Sequence, residues 1–486
     1  MNGGDGNILS GDPLAQVLAA REGRAALKRA FASGRRVLVS LSFNVPGWPK
    51  SDPLMRAAFD KVVDELTRYL AAHRMQVDKG SVLVRPDATG DFFLCALTEE
   101  TVDPEEVKQV AERFEGEHAL GRLLDVDVAD RTGAPVVSGK RKPCLLCPDR
   151  PAALCMRERR HPPAALRDVL WQRARAYLDG QRRETVCRAL AQGALRAMLY
   201  EVSHTPKPGL VDLSDESCHR DMDYFSFLDS SAALAGFHYD LAAAGYDCQD
   251  AGGDLENMLP RLRLIGLDME KAMFEATGGV NTHKGLIFLV GLALFATGAV
   301  LRRDGVFEQE RFRDVIRDIC RGMVARELGQ AALPEGTARA GETHGEAVYR
   351  KWRGRFGGGA RAEAEAGFPL VFEAGLPALE SALSGRQLAS CGRERLRAAL
   401  DAALYALMAV SPDTNVLHRG GAESLLGMQA RAAAVRDSRD AVQRRAALKE
   451  LFAYVTQRGL SPGGSGDLLT LTLFVHLAKE AFGHGL

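Results

Sequence analysis

Two rhythms of apolar residues run along the chain, and they change near His161. Before that point helical and strand spacings alternate. Apolar residues recur at helical intervals from Pro13 to about Ala32, after which RRVLVSLSFN alternates in the manner of a strand with one face on a core. Prolines and a glycine break NVPGWPKSDP, and Ser51 or Asp52 then caps a helix PLMRAAFDKVVDELTRYL with Pro53 in its first turn. SVLVRP and DFFLCAL predict strands around the turn DATGD, DPEEVKQV opens a third helix, and RLLDVDVAD predicts a last strand. This order predicts an α+β domain over residues 1–165. From Pro162 onward, LRDVLWQRARAYLDG, RRETVCRALAQGALRAMLYE, LENMLPRLRLIGLDMEKAMFEA and GRERLRAALDAALYALMAV carry helical spacing with hardly a strand candidate between them. They predict an all-α domain over residues 183–486, reached through a helical joint over residues 166–182.

A length of 486 residues agrees with two domains. Lys plus Arg and Asp plus Glu both number 63, so no global field draws the protein to nucleic acid or to an acidic membrane surface, and any anion site must be local. Nine cysteines, most of them scattered, together with an N-terminus MNGGDGNILSGDPLAQ that has no secretory pattern, predict reduced thiols and a cytoplasmic protein. The run LIFLVGLALFATGAV, Leu286 to Val300, falls short of the about 20 residues a membrane span needs and predicts a buried core helix.

Candidate chemistry in the first domain lies at three places. Asp125 and Asp127 stand two apart on a strand and so share a face, an arrangement that suits Mg²⁺ in nucleotidyltransferase-type chemistry and equally suits a solvent-facing strand with Leu124, Val126 and Val128 turned inward. NVPGWPK brings Lys50 to a helix start, where a phosphate would bind, and leaves Trp48 free to stack on a base. In KPCLLCPDRPAALCMRERRH, Cys144, Cys147, Cys155 and His161 have the spacing of a tetrahedral zinc site, while Lys142, Arg150, Arg157, Arg159 and Arg160 suit a polyanion. Both readings stay open: zinc that folds the loop, or reduced cysteines that pack a turn with His161 near phosphates.

In the second domain, polar clusters sit in the breaks between apolar helices. SHTPKPGLVD holds Lys207 on a stiff segment, which suits a phosphate contact and equally a rigid linker turn, and CHRDMDYF spaces His219, Asp221 and Asp223 as hard ligands for Mg²⁺ or as solvated loop carboxylates. ATGGVNTHKGLIF places Asn281, Thr282, His283 and Lys284 before a helix, where an anion is favoured. GETHGEAVYRKW contributes Thr343, His344 and a Glu346/Arg350 pair, SPDTNVLHRGG contributes Asp413, Asn415, His418 and Arg419, and SPGGSGDLL contributes Gly463, Gly464 and Ser465. A cationic pocket that also carries carboxylates suits a nucleotide.

PKPGLVD, HRDMD, GGVNTHKG, THGEAVYR, DTNVLHRGG and SPGGSGDLL, in this order, resemble the triphosphoribosyl-dephospho-coenzyme A synthase family from about Arg183 to the C-terminus, with Gly466 where alanine is expected. The resemblance implies ATP and 3′-dephospho-coenzyme A as substrates, joined with loss of adenine and retention of the triphosphate. Under it Lys207 and Lys284 contact phosphates, Asp221 and Asp223 hold Mg²⁺, Asp413 is the base, and His283 or His344 assists adenine departure. Asn281, Arg350, Asn415, Gly463, Gly464 and Ser465 complete the substrate contacts.

SFNVPGWPKSDPL, EHALGRLLDVDV and RKPCLLCPDRPAALCMRERRH are similar to the apo-citrate lyase phosphoribosyl-dephospho-coenzyme A transferase family over Leu14 to about Arg167, with Trp48 in place of a usual proline. This implies attack by a serine of the apo acyl carrier subunit of citrate lyase on the donor's α-phosphate, with loss of pyrophosphate. Asp125 and Asp127 become catalytic Mg²⁺ ligands, and Lys50, Arg122, Arg157, Arg160 and His161 become phosphate contacts. Neither reaction moves electrons, so redox chemistry at the cysteines drops out. The competing readings are the corresponding malonate decarboxylase pathway and an N-glycosidic hydrolase fused to a zinc-organised docking module.

Overall fold

In the N-terminal part, sequence periodicity turns directly into elements: α1 (Pro13–Ala32), β1 (Leu38–Phe43), α2 (Pro53–Ala72), β2 (Leu83–Asp87), β3 (Gly90–Ala96), α3 (Pro104–Glu117), β4 (Leu124–Ala129) and α4 (Ala152–Arg157). The computed structural model describes residues 13–32, 36–99, 101–139, 142–147, 149–214, 219–248, 255, 257–328, 344–352, 356 and 358–484. Thr343 lies outside them, as does the side chain of His344. By internal contacts the chain divides into Met1–Arg182 and Arg183–Leu486.

In the first unit β1 lies at the centre of an antiparallel sheet of order β2-β3-β1-β4. The Asp52 carboxylate caps α2 by accepting the Met55 N–H at 2.8 Å, and Pro53 occupies the first turn, where no N–H is needed. Met55, Phe59, Val62, Leu66 and Leu70 recur every three or four residues along α2 and are fully buried with Val39 and Leu41 of β1 and Phe93 of β3. The opposite face of the sheet is different. There Leu38, Phe92 and Leu94 meet Leu27 and Phe31 of α1, and the register sets Ser42 opposite Asp125 and Ser40 opposite Asp127. Both aspartates therefore point away from the main core.

LRDVLWQRARAYLDG and RRETVCRALAQGALRAMLYE, read from the sequence as separate helical patterns on either side of Gln181, form one helix, α5 (Pro163–Ser203), 41 residues long. An exposed helical glycine costs only about 1 kcal/mol, too little to stop a helix whose flanks both favour it. The division between the units falls within α5. The second unit continues with α6 (Tyr224–Cys248), α7 (Met258–Ala276), α8 (Lys284–Asp304), α9 (Gln309–Cys320), α10 (Met323–Glu327), α11 (His344–Lys351), α12 (Ala360–Glu365), α13 (Leu376–Leu383), α14 (Arg393–Val410), α15 (Thr414–Arg436), α16 (Ala441–Gln457) and α17 (Gly463–Phe482).

α8 is the hub of this unit. It is long and apolar enough to cross a membrane, yet 83% of its apolar window is buried inside the protein, as a core helix requires. It packs on α6, α7, α9 and α17. Its approach to α6 depends on bare glycines: a Cβ on Gly298 would overlap the Ala242 carbonyl, and one on Gly245 would overlap the Phe295 carbonyl. Two substitutions of the same kind should therefore act in opposite directions. Gly298→Ala is expected to lower stability by about 1–3 kcal/mol through overpacking, whereas Gly180→Ala, which meets open space, is expected to raise it by about 0.5–1 kcal/mol; urea unfolding of each variant checks both signs.

Candidate functional site

Three helix starts of the second unit open onto one cavity of about 1280 Å³. The loop ATGGVNTHK ends in the first turn of α8, SPD in that of α15, and SPGG in that of α17. His283 and Pro462, the residues before α8 and α17, supply no side-chain cap. Lys284, Gly285, Gly463 and Gly464 line the cavity, so two positive helix ends border one space; at each, one leading amide is bound from outside the helix, the Lys284 N–H by Asn281 Oδ1 at 3.1 Å and the Ser465 N–H by Asp413. Asn281, Asn415, His418 and Arg419 also line it, as the sequence predicts for a common pocket.

Within that pocket several side chains are already committed. Asp413 is 2% exposed and caps α15, accepting from the N–H groups of Asn415 at 3.0 Å and Val416 at 3.3 Å. Its other oxygen accepts from the Ser465 N–H at 2.9 Å and hydroxyl at 3.2 Å. A carboxylate with four such bonds fastens the starts of α15 and α17 and has little capacity left to take a substrate proton, although burial raises its pKa. Ser465 is fully buried against it.

Lys207 also differs from the expected phosphate contact. Its ammonium is 1% exposed and donates to the Glu201 carbonyl at 2.7 Å and carboxylate at 2.5 Å, behind the cavity wall. Lys284 does reach the cavity, where it pairs with Glu270 at 2.8 Å. His283 is buried, hydrogen-bonded through Nδ1 to the Ser230 hydroxyl at 2.7 Å. Burial, followed by the nearby His238 and Lys207, pushes its pKa down to about 3, so at neutral pH its ring is uncharged and is not a cationic acid.

Asp221 and Asp223 do not act as a pair. Asp221 lies at the cavity, two-thirds exposed and 3.8 Å from His219, while Asp223 caps α6 by accepting the Ser226 N–H at 2.8 Å. Arg350 is half-buried on α11 and is not part of the cavity wall.

Sequence reasoning missed one acid of the wall. Asp467 lies on the first turns of α17, against Gly285 of α8, where a Cβ would meet its Oδ2. No hydrogen bond to it is formed among the described residues. Burial, then the charges of Glu201 and Asp413, raise its carboxyl well above the ordinary carboxylate range. A lone acid ahead of the apolar run LLTLTLFVHL was the available signal. Arg263 and Arg361 were also missed. They pair with Glu327 at the cavity, Arg361 at 2.9 Å, and come from α7 and α12, far from any motif. The Thr282 hydroxyl, buried in the wall, has no hydrogen-bond partner among the described residues.

In the first unit Asp125 and Asp127 share a face of β4, as predicted, but each has a lysine. Lys142 donates to Asp125 at 2.8 Å and to Glu115 at 3.0 Å, and Lys28 of α1 reaches Asp127 at 3.3 Å. Although burial works against it, the Lys142 ammonium is held by Asp125 and Glu115 with a raised pKa. Two of the expected phosphate contacts turn inward: Lys50 donates to the Val45 carbonyl at 2.7 Å, and Arg122 donates from Nε to the Pro143 carbonyl at 2.6 Å. Burial, then Arg21, lowers the Lys50 pKa. Arg157 and Arg160 are exposed. Trp48 is 43% exposed.

The opening and closing turns of the cysteine segment converge. The ligand atoms of Cys144, Cys147, Cys155 and His161 all lie within 4.8 Å of one another, and the Cys147 sulphur is 3.2 Å from His161 Nε2. Among the described residues no other group of three or more histidine, cysteine or acidic side chains is so close.

Comparison with known proteins agrees with this division of chemistry. A family model described as ATP:dephospho-CoA triphosphoribosyl transferase matches residues 187–485, and one described as apo-citrate lyase phosphoribosyl-dephospho-CoA transferase matches residues 13–177. Protein CitXG of Leuconostoc mesenteroides subsp. cremoris is 31% identical over 478 residues, which span 95% of this chain and 96% of that one. The 2-(5″-triphosphoribosyl)-3′-dephosphocoenzyme-A synthases of Escherichia fergusonii and Pectobacterium atrosepticum are 36% and 38% identical, over 58% and 60% of this chain and 89% of each of theirs. With one family matched along most of the helical unit, the other along the sheet-containing unit, and a relative that carries both in the same order, the chain belongs to the CitXG-type fusions of an apo-citrate lyase phosphoribosyl-dephospho-CoA transferase with an ATP:dephospho-CoA triphosphoribosyl transferase.

Proposed function

We propose that the helical unit condenses ATP with 3′-dephospho-coenzyme A, and that the α+β segment, residues 1–165 with the joint 166–182, attaches the product to a serine of the apo acyl carrier subunit of citrate lyase. The observation that carries the first reaction is that the starts of α8 and α17 border one cavity, whose wall also holds Asp467, without a hydrogen bond among the described residues. The helix ends and Lys284 receive the triphosphate. Arg263 and Arg361, both paired with Glu327, border the same cavity.

Asp467 takes the proton of the dephospho-coenzyme A 2′-hydroxyl as that oxygen bonds to the ribose carbon of ATP and the bond to adenine breaks. A carboxylate beside Glu201 and Asp413 also stabilises the positive charge that develops on the ribose ring. Asp413 keeps the two helix starts in register, and His344 remains the candidate acid for adenine. Mg²⁺, when bound with the triphosphate, supplies charge neutralisation; Asp221 fits such a shared ion, and Asp223, used as a helix cap, does not.

For the second reaction, Asp125 and Asp127 present a carboxylate pair that Lys142 and Lys28 now neutralise and that a Mg²⁺ on the donor phosphates would share. Arg157 and Arg160, exposed and without a side-chain hydrogen bond or ion pair among the described residues, would receive the triphosphoribosyl group. The product of one unit is the donor of the other, so a single chain raises the local concentration of an intermediate used only here. Nucleotide substrates and free thiols agree with a cytoplasmic setting.

Asp467→Asn is expected to slow adenine release from ATP plus dephospho-coenzyme A by roughly 10²–10⁴-fold, with no adenine formed by wild type when dephospho-coenzyme A is omitted; release without the acceptor would instead mark a hydrolase. Asp413→Ala is expected to lower stability by about 1–2 kcal/mol as a lost cap, read by urea unfolding.

The pH dependence has a definite sign. Because the folded Asp467 pKa is raised, activity climbs with pH through a limb above the ordinary carboxylate range, while stability falls as pH rises through the same range. Asp467→Asn should therefore abolish that limb and stabilise the helical unit at pH 7, which rate–pH profiles and thermal melts of both proteins check. In the other unit, Asp127→Ala is expected to slow carrier loading from premade donor by roughly 10-fold or more, measured by the mass of the carrier, while adenine release stays at the wild-type rate.

A further inference from the structure

Between Lys142 and His161 the chain has almost no core of its own. Among the described residues of this segment only Cys144 and Cys155 are buried, while Met156 is 78% exposed and Leu146 and Leu154 are 39% exposed. Twenty residues with so little apolar burial need another source of order. The backbone is nonetheless tightly turned. The Cys144 N–H donates to the Arg150 carbonyl at 2.7 Å, the Arg150 N–H returns to the Cys147 carbonyl at 3.0 Å, and Pro143 bridges to Pro151. Inside that turn the N–H groups of Leu146 and Cys147 point at the Cys144 sulphur. The short α4 then carries Cys155 back, and the Arg160 N–H on the Cys155 carbonyl at 3.0 Å aims the chain so that His161 closes the group.

We propose that Cys144, Cys147, Cys155 and His161 bind one zinc ion, and that this ion folds the loop that holds Lys142 on Asp125. Around tetrahedral zinc, neighbouring sulphur and nitrogen ligands lie roughly 3.5–3.8 Å apart, and the four ligand atoms here are already within 4.8 Å of one another. Thiolates and an imidazole select zinc over the hard cations used by phosphates. Three thiolates and a neutral ring around a dication leave one net negative charge. The exposed Arg157, Arg159 and Arg160 on the same turn therefore oppose the bare ion but favour the complete site.

The loop is joined to the proposed transfer site by two residues next to the first ligand. Lys142 donates to Asp125 and Glu115, and the Pro143 carbonyl accepts from Arg122. Zinc acts as a positioning element for these two cations. This second part rests on the transfer reaction proposed above; the metal site itself does not.

The test is metal analysis of the full chain purified without chelator, together with cobalt substitution. One zinc per chain and a cobalt form with thiolate charge-transfer absorption are expected; absence of stoichiometric zinc, iron in its place, or a disulfide among these cysteines by intact mass overturns the site. Cys144→Ser combined with Cys155→Ser should lose the zinc and keep wild-type adenine release, which reports an intact helical unit; retained zinc overturns the assignment. Stripping the wild-type metal should cut carrier loading roughly 10–100-fold, reversed by zinc, with adenine release unmoved. Stoichiometric zinc with unchanged loading after stripping would overturn the positioning role alone.

Discussion

A helix that is apolar all round has no side to give to water, and α8 imposes that condition on the helical unit. Its neighbours must enclose it, and two bare glycines let α6 come close enough to do so. Enclosure ends at the first turn, where the leading amides have no carbonyl within the helix to bond. The same incompleteness recurs at the first turn of α17, which borders the same space. The anion site proposed for the cavity thus rests on where buried helices begin. The cationic side chains add to a potential that the backbone has already set.

Carboxylates provide the opposing charge, and their surroundings separate their tasks. Asp413 gives every acceptor direction to backbone and serine donors, Glu201 is matched by Lys207, and Asp467 has no donor among the described residues. Three acids within one field cannot all hold full charge cheaply, so the one without hydrogen bonds bears the largest shift. In the sheet-containing unit the balance is struck differently. There lysines from α1 and from the cysteine segment neutralise two strand aspartates that point off the core. The divalent ion proposed for this pair would compete with these lysines for the same oxygens.

Most of the fold was legible because burial is periodic: the four strands and the helices that flank them can be read from spacing and capping residues alone. Gly180 misled because a single glycine reads as punctuation, although its cost is small against the cooperativity of 41 helical residues. For the site, the loops were legible and the division of labour was not. SPDTN announces Asp413, but its identity as a cap depends on Ser465 arriving from another helix start. Lys207 looked available because Glu201 belongs to the preceding helix. Asp467 lay inside an apolar helix, and Arg361 reaches the cavity only through tertiary packing.

Gly285 is the one place where the first turn of α8 leaves room for the Asp467 carboxylate, since any Cβ there would take the volume that Oδ2 occupies. The two positions lie on different helices and far apart in the chain, yet they form one lock-and-key element. An acid at 467 is accommodated only while residue 285 has no side chain, and a glycine at 285 is a costly vacancy at a helix start unless that acid fills it. A side chain at 285 and the carboxylate at 467 therefore exclude one another, and a change at either helix start is felt at both.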